Sequence, residues 1–278
     1  MKLILAPFIF MVILFLYLHV YYHYKTSDDL EMYEINYMET SKFNDFAELR
    51  QPVYIHESSK EAISLGSEIN GNRNQNLNMR LMTDGDTVLL PKDDAQKLLV
   101  GKEKYISRGN YHLCQDYEER LKDILYEYCP SHTVNSKYDV LYGSKDAYTR
   151  PCYEIYYRNY VTVVSGKATV RLVPPKYASS LKIEPQYDSF EFVTTTQLFE
   201  ESSSIQFFDV SLNEGSSLYI PPYWVYSIMY SDSDTCLLFH QYQTVMNFIS
   251  NIHHHGLYYL QQYNIREKPA QKTIKTKE

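Results

Sequence analysis

A nearly unbroken apolar run close to the N-terminus, from Leu3 to Val20, most limits how this 278-residue chain can fold. A helix needs about 20 residues to cross the hydrocarbon core of a bilayer. The run reaches that length if Tyr21 and Tyr22 lie in the membrane interface, where tyrosine is enriched. No Ala-x-Ala-like cleavage site follows it. The run therefore predicts an uncleaved transmembrane signal-anchor over residues 1–24, with a cleaved signal peptide or a buried core helix as the alternatives.

The charges that flank this run give a slight bias in orientation. Lys2 precedes it and Lys25 follows it, and the acids Asp28 and Asp29 carry little weight in the positive-inside rule. We expect a single-pass membrane protein with a cytoplasmic N-terminus and a lumenal or extracellular body.

Composition narrows the classes of partner. The net charge is −7 and no long basic run occurs outside the C-terminal tail, so we expect the membrane and a protein as partners, and no nucleic acid. Four scattered cysteines without a C-x-x-C pair argue against a structural zinc site. In an oxidising compartment they could form one or two disulfides.

The remaining chain divides into three segments. Residues 25–45 are polar and acidic with scattered aromatics, which predicts a stalk. Residues 46–262 contain short strands rich in β-branched and aromatic residues, separated by turns and flanked by helices. Residues 263–278 are polar and lysine-rich, which predicts a disordered tail. The central segment therefore predicts a mainly β domain, a double-stranded β-helix of the jelly-roll type with flanking helices.

Two motifs in this domain carry a resemblance to a known family. Residues 215–226 read G-S-S-L-Y-I-P-P-Y-W-V-Y, a strand that enters a tight turn before the only tryptophan. Upstream, an Asn is followed seven positions later by a Gly, and then by Pro174-Pro175. Together they resemble the jumonji C (JmjC) and cupin-8 (cupin-like) domains, over roughly residues 45–262, and the resemblance implies the cupin fold. The residues that match the family scaffold are Asn159, Gly166, Gly215, Pro221 and Trp224.

The same resemblance implies a metal site that this chain has lost. Family members bind Fe(II) through a His-x-Asp pair and a distant His, and many use 2-oxoglutarate. With Asn159 and Gly166 as anchors, the three ligand positions and the position of the lysine that binds 2-oxoglutarate fall on Tyr153, Ile155, Tyr226 and Ala168. An aliphatic side chain cannot coordinate a metal, and a phenol with a pKa of about 10 is a poor ligand for Fe(II) near neutral pH. We therefore expect no metal, no cofactor and no catalytic residue, and a domain that acts by binding or scaffolding.

A shift of the alignment by one residue gives the alternative. It places Cys152 and Glu154 at the first two ligand positions and Lys167 at the anchor position, but it moves Asn159 and Gly166 out of register. A Cys-x-Glu pair could bind a metal. The alternative is then an Fe(II)/2-oxoglutarate-dependent hydroxylase with an atypical metal site. A membrane protein of unrelated function is the third hypothesis.

Overall fold

The computed structural model describes residues 2–71, 77–83, 86–199 and 205–264. Short 3-10 helices cover Tyr111–Tyr117, Tyr126–Tyr128 and Pro175–Tyr177. The α-helices of the described residues are α1 (Lys2–Tyr24), α2 (Thr40–Glu48), α3 (Lys60–Gly71), α4 (Lys92–Leu99), α5 (Glu118–Ile124), α6 (Val245–Ser250) and α7 (Ile252–Asn264).

The strands alternate with these helices in the N-terminal half and dominate the C-terminal half. They are β1 (Tyr33–Tyr37), β2 (Val53–Glu57), β3 (Asn78–Met82), β4 (Thr87–Pro91), β5 (Ile106–Ser107), β6 (Thr133–Gly143), β7 (Cys152–Tyr153), β8 (Arg158–Ser165), β9 (Ala168–Val173), β10 (Glu184–Gln186), β11 (Glu191–Val193), β12 (Phe208–Leu212), β13 (Ser217–Ile220), β14 (Val225–Tyr230) and β15 (Cys236–Thr244).

The strands form two sheets. The larger has the order β1-β2-β13-β8-β15-β6-β5-β3-β4 and the smaller the order β10-β11-β7-β14-β9-β12. All the pairings are antiparallel except that of β1 with β2. The predicted class, a jelly-roll β domain with flanking helices and an apolar N-terminal helix, is confirmed.

Alternation along the strands builds the core between the two sheets. Val161 and Val163 of β8 pack in one buried cluster with Val170 and Leu172 of β9, from the opposite sheet. Successive side chains of a strand point to opposite faces, so Tyr160 and Val164 of β8 instead join a second buried cluster with residues of α2 and α3. The helices therefore cover the outer face of the larger sheet, and the inner face encloses the candidate site.

Residues 25–45, predicted as a stalk, are largely part of this domain. β1 adds to the edge of the larger sheet beside β2, and Phe43 of α2 is fully buried. The ring of Phe43 lies 5.1 Å from that of Tyr219, so the aromatic residues of this segment serve packing. The predicted tail lies outside the described residues from 265 onward; Tyr263 and Asn264 end α7.

Among the described residues, α1 is the one helix long and apolar enough to cross a membrane. An anchor and a signal sequence both fit this description. Its C-terminal end packs on the domain: the Arg50 guanidinium lies 5.0 Å from the Tyr22 ring centroid, and Tyr24 donates a hydrogen bond to the Ser250 carbonyl. The end of α1 is thus held against the domain without an intervening linker.

The four cysteines are free thiols. Cys114, Cys152 and Cys236 are buried and Cys129 is half-buried. The disulfides considered from the sequence are not formed in this structure.

Candidate functional site

A clamped turn after β5 directs an arginine into the space between the sheets. Gly109 has a φ of +76°, a conformation that favours glycine. The backbone N–H groups of Gly109 and Asn110 each donate a 2.7 Å hydrogen bond to the carboxylate of Asp139 on β6, and the Asn110 side chain donates to Ser107 Oγ at 2.7 Å. Both ends of the turn are thereby fixed around Arg108.

The Arg108 guanidinium meets two groups from the smaller sheet and one from the residue after β7, Glu154. Its nitrogens lie 3.3 Å from Cys152 Sγ, 3.4 Å from Glu154 Oε1 and 3.6 Å from Glu191 Oε1. The side chains of Arg108 and Glu154 are each 13% exposed. One cation therefore faces two carboxylates in a largely water-free environment, which leaves an excess of negative charge on the carboxylate side.

Tyr226 closes the cluster from β14. Its backbone pairs with that of Cys152 across the sheet, and its hydroxyl donates a 2.9 Å hydrogen bond to Glu154 Oε1. The side chain is buried. We call Arg108, Cys152, Glu154, Glu191 and Tyr226 the arginine cluster.

Burial and charge set the protonation of this cluster. Burial raises the pKa of the Cys152 thiol, although the nearby Arg108 opposes the rise. Burial likewise raises the pKa of Tyr226 well above its ordinary value of 10. For Arg108, burial opposes the charge, but Cys152, Tyr226 and the two glutamates together raise its pKa well above the ordinary value. Near neutral pH the cluster therefore holds a neutral thiol, a neutral phenol and a charged guanidinium.

Asp139 holds the turn that carries Arg108, through the backbone N–H groups of the next two residues. It is fully buried, and burial raises its pKa from 3.8 to about 6 even though Gly109 and Asn110 donate hydrogen bonds that oppose the rise. The carboxyl that fixes the turn of Arg108 thus changes charge in a mildly acidic range.

These residues do not fit an Fe(II) ion. A thiol must lose its proton to bind a metal, and the environment of Cys152 disfavours that loss. Glu154 is already occupied by Arg108 and Tyr226. The guanidinium charge would also repel a divalent cation placed among these groups. Among the described residues, no group of three or more His, Cys, Asp or Glu side chains could hold a metal.

The ligand positions predicted from the anchors Asn159 and Gly166 do not converge. Tyr153 stacks on Phe192, with ring centroids 5.0 Å apart. Ile155 is buried, its side chain is aliphatic, and its carbonyl accepts a hydrogen bond from the Asn247 side chain. Only Tyr226 of the three lies in the arginine cluster, and it lies there with Cys152 and Glu154. Strand alternation explains this correction, because a one-residue shift turns the side chains of β7 to the other face.

Neither candidate cosubstrate position contributes a polar group to the arginine cluster. Ala168 is 1% exposed and packs in the core between the sheets. Lys167 is exposed on the turn between β8 and β9. Neither frame therefore brings a lysine to the cluster.

The scaffold residues hold the strands around the site. The buried Asn159 side chain donates to the carbonyls of Tyr156 and Ile220, at 3.2 and 3.1 Å. Gly166 has a φ of +75° in the turn between β8 and β9, and Gly215 a φ of +84° before β13.

The turn between β13 and β14 is fixed from both sides. The Trp224 backbone N–H donates to the Pro221 carbonyl at 3.3 Å, and its indole N–H donates to the Arg50 carbonyl at 3.0 Å. Trp224 is fully buried. This turn therefore joins the smaller sheet to the segment on which α1 docks.

Sequence reasoning missed Arg108, Asp139 and Glu191. The Gly109-Asn110 pair is a turn signal that could have located the turn. No local signal shows that the arginine before it points inward.

Comparisons with known proteins agree with this architecture. No curated protein matches the chain. The model of the cupin-like domain family (cupin-8) matches residues 19–249. Because that match covers most of the chain, and because the two sheets and the scaffold residues build the corresponding fold, this protein belongs to the cupin-like domain family.

Proposed function

We propose that this protein is a membrane-anchored, catalytically inactive member of its family that acts by binding or scaffolding. The observation that carries the proposal is the position of Arg108 among Cys152, Glu154 and Tyr226. An internal guanidinium there supplies the positive charge that a metal ion supplies in an active relative. The site then holds a cation without offering open coordination positions for oxygen or a cosubstrate.

The test measures metal binding and turnover by the full chain in nanodiscs. The protein is loaded anaerobically with Fe(II) and 2-oxoglutarate, bound iron is counted by elemental mass spectrometry, and succinate is measured after air is admitted. We expect no stoichiometric iron and no succinate above empty nanodiscs. Stoichiometric iron with succinate release would overturn the proposal and favour the alternative, a hydroxylase with Cys152 and Glu154 in its metal site.

A matched variant guards against a failed assay. The substitutions Arg108→Ala, Cys152→His, Glu154→Asp and Tyr226→His remove the internal cation and rebuild a His-x-Asp…His set on the same strands. We expect this variant to gain bound iron while the native chain does not. Iron binding by the native chain at the level of the variant would contradict the role given to Arg108.

The anchor and its orientation are part of the proposal. The apolar, exposed α1 and the docking of its end on the domain support a body held close to the bilayer. We propose a lumenal or extracellular body, on the basis of the slight lysine bias around α1.

A glycosylation site introduced into the body tests this orientation. Lys102 and Lys104 lie in an exposed loop, so Lys102→Asn with Lys104→Thr creates such a site. Glycosylation in microsomes supports this orientation; an unmodified, protease-accessible body contradicts it.

A further inference from the structure

A groove at the edge of the sandwich is a second candidate site. It has a volume of about 930 Å³, which lies within the roughly 300–1,000 Å³ typical of small-molecule pockets. Its walls come from β6, α6, α7, the 3-10 helix at Tyr111–Tyr117 and the loop before β11. Aromatic residues that line it include Tyr111, Tyr156, Phe190 and Tyr258.

Lys137 is the cation of this groove. It lies on β6, two residues before Asp139 and four before Leu141, in the N-terminal half of the strand. Alternation therefore places its side chain on the inner face of the larger sheet, with those of Asp139 and Leu141. Its Nζ lies 4.9 Å from the Tyr156 ring centroid and 5.6 Å from those of Tyr111 and Phe190. Three ring faces thus surround one ammonium group.

The ammonium has ring faces but no oxygen partner. Within the described part of the chain, no oxygen accepts a hydrogen bond from Lys137 Nζ, and no carboxylate lies within 4.0 Å of it. A lysine ammonium has three donors. Burial lowers the pKa of Lys137, and the carboxylates of Glu154, Asp139 and Glu191 oppose that fall and favour the charged form. Its donors are therefore available to an acceptor that enters the groove.

The neighbouring carboxylates are already engaged. Glu118, the carboxylate of the described lining, pairs with Lys122 at 2.7 Å. Glu154 and Glu191 face Arg108, and Asp139 accepts two backbone N–H groups. His255, also in the lining, is kept neutral near pH 7 because burial lowers its pKa. The groove therefore presents one ammonium group with unused donors inside apolar walls, and the carboxylates of Glu154, Glu191 and Asp139 act on it only at longer range.

We propose that this groove binds a small organic monoanion with a planar apolar body. The anionic group accepts hydrogen bonds from Lys137, and the planar body stacks among Tyr156, Phe190 and Tyr258. The inference names a ligand class for the binding role proposed above and rests on it.

The test uses 1-naphthoate and its uncharged counterpart 1-naphthylmethanol. Binding to the full chain in nanodiscs is measured by equilibrium dialysis, with empty nanodiscs subtracted. We expect saturable one-site binding of naphthoate, and binding of the alcohol that is at least about tenfold weaker, since a charge-assisted hydrogen bond is lost. Absence of saturable naphthoate binding to the native chain would overturn the proposal.

Substitutions of Lys137 test whether its ammonium group is the one that binds the anion. Lys137→Met keeps an apolar stem and should weaken naphthoate binding about tenfold while leaving the alcohol nearly unchanged. Lys137→Arg should retain naphthoate binding, and Lys167→Met, on the exposed turn, is the matched control. Equal naphthoate binding by native and Lys137→Met proteins would refute the inference.

A readout without a variant covers the case in which Lys137→Met does not fold. Saturating naphthoate should protect Lys137 from acetylation by acetic anhydride, read by peptide mass spectrometry, while Lys167 stays reactive. Unchanged acetylation of Lys137 counts against the site. These outcomes are independent of the iron and succinate assay. Turnover with iron would contradict the proposal that the protein is catalytically inactive, and it would leave the proposed ligand untested by that assay. Failure to bind naphthoate would contradict the proposed ligand class alone.

Discussion

The Tyr226 hydroxyl donates a 2.9 Å hydrogen bond to Oε1 of Glu154, the same oxygen that faces the Arg108 guanidinium. Two residues at positions where metal ligands are expected are therefore bonded to each other and to an internal cation. A phenol and a thiol at such positions do not need a metal to be satisfied, because each has a protein partner. The site is closed by hydrogen bonds.

The arginine cluster should be a main stabilising feature. Arg108→Met leaves Glu154 and Glu191 buried without their cation, and removal of one partner of a buried ion pair costs about 3–5 kcal/mol. We expect a loss of that size in the free energy of unfolding, measured by urea denaturation at pH 7. Restoring stability by combining Arg108→Met with Glu154→Gln and Glu191→Gln would identify the unpaired charges as the cause.

A surface ion pair provides the control. Arg120 and Glu68 form a bidentate pair at 3.0 Å, with both side chains about half exposed. Arg120→Met should lower the free energy of unfolding far less than Arg108→Met does, because water screens an exposed ion pair. Equal losses for Arg108→Met and Arg120→Met would show that the cluster is not energetically special.

Asp139 should make stability fall as the pH rises from about 4 to about 6. Its pKa is 3.8 ordinarily and about 6 in the folded protein, so in this range the folded state binds more protons than the unfolded state. The contribution is fully present below the unfolded pKa and is lost as pH rises through the folded pKa. A shift of this size corresponds to roughly 3 kcal/mol at most.

The measurement compares native protein with Asp139→Asn by urea denaturation at several pH values. The free energy of unfolding of the native protein minus that of the variant should fall between pH 4 and 6 and stay constant above pH 7. The other titrating groups contribute equally to both proteins and cancel in this difference. Below pH 4 the variant should also be less stable than the native protein, since the two N–H groups bond different oxygens of Asp139 and an amide keeps only one of them. A difference independent of pH would contradict the raised pKa.

The docking of α1 on the domain should be measurable through Tyr22. Its ring covers Arg50, which is 1% exposed and whose Nε and Nη2 atoms have no hydrogen-bond partner among the described residues. Tyr22→Ala removes a ring from a desolvated cation and should cost about 1–3 kcal/mol. The neighbouring Tyr21 is 68% exposed, so Tyr21→Ala should change stability by less than about 0.5 kcal/mol. Thermal unfolding in nanodiscs distinguishes the two; equal shifts would argue against the docked arrangement.

Two glycines should respond oppositely to alanine. At Gly166, with a φ of +75°, a Cβ would lie 2.6 Å from Thr235 Oγ1 and 2.8 Å from Thr235 Cα. Gly166→Ala should therefore destabilise by about 2 kcal/mol or more. Gly256 lies in α7 with open space around its Cβ position, and Gly256→Ala should stabilise by about 0.5–1 kcal/mol through helix propensity. Urea denaturation measures both, and tolerance of alanine at Gly166 would contradict the tight turn.

The sequence by itself determined the features that depend on local pattern. The apolar run predicts α1 because length and composition suffice, and the scaffold residues predict the fold because Gly166, Gly215 and Trp224 each meet a steric or hydrogen-bonding demand of one turn. The absence of a His-x-Asp pair is likewise visible in the chain. The stalk prediction failed because polarity in residues 25–45 says nothing about the sheet edge and the apolar surface that these residues cover.

Only the tertiary structure decided which groups meet in the arginine cluster. Arg108 is 44 positions from Cys152 along the chain and 118 from Tyr226, and the three meet because the two sheets face each other. A one-residue shift on β7 selects Cys152 and Glu154 over Tyr153 and Ile155, and spacing from Asn159 cannot resolve it, because the turn between them does not keep strand alternation. The surroundings of Lys137 were likewise decided by the tertiary structure. Its charge is visible in the sequence, but the three rings around it come from elements that pack together only in the folded domain.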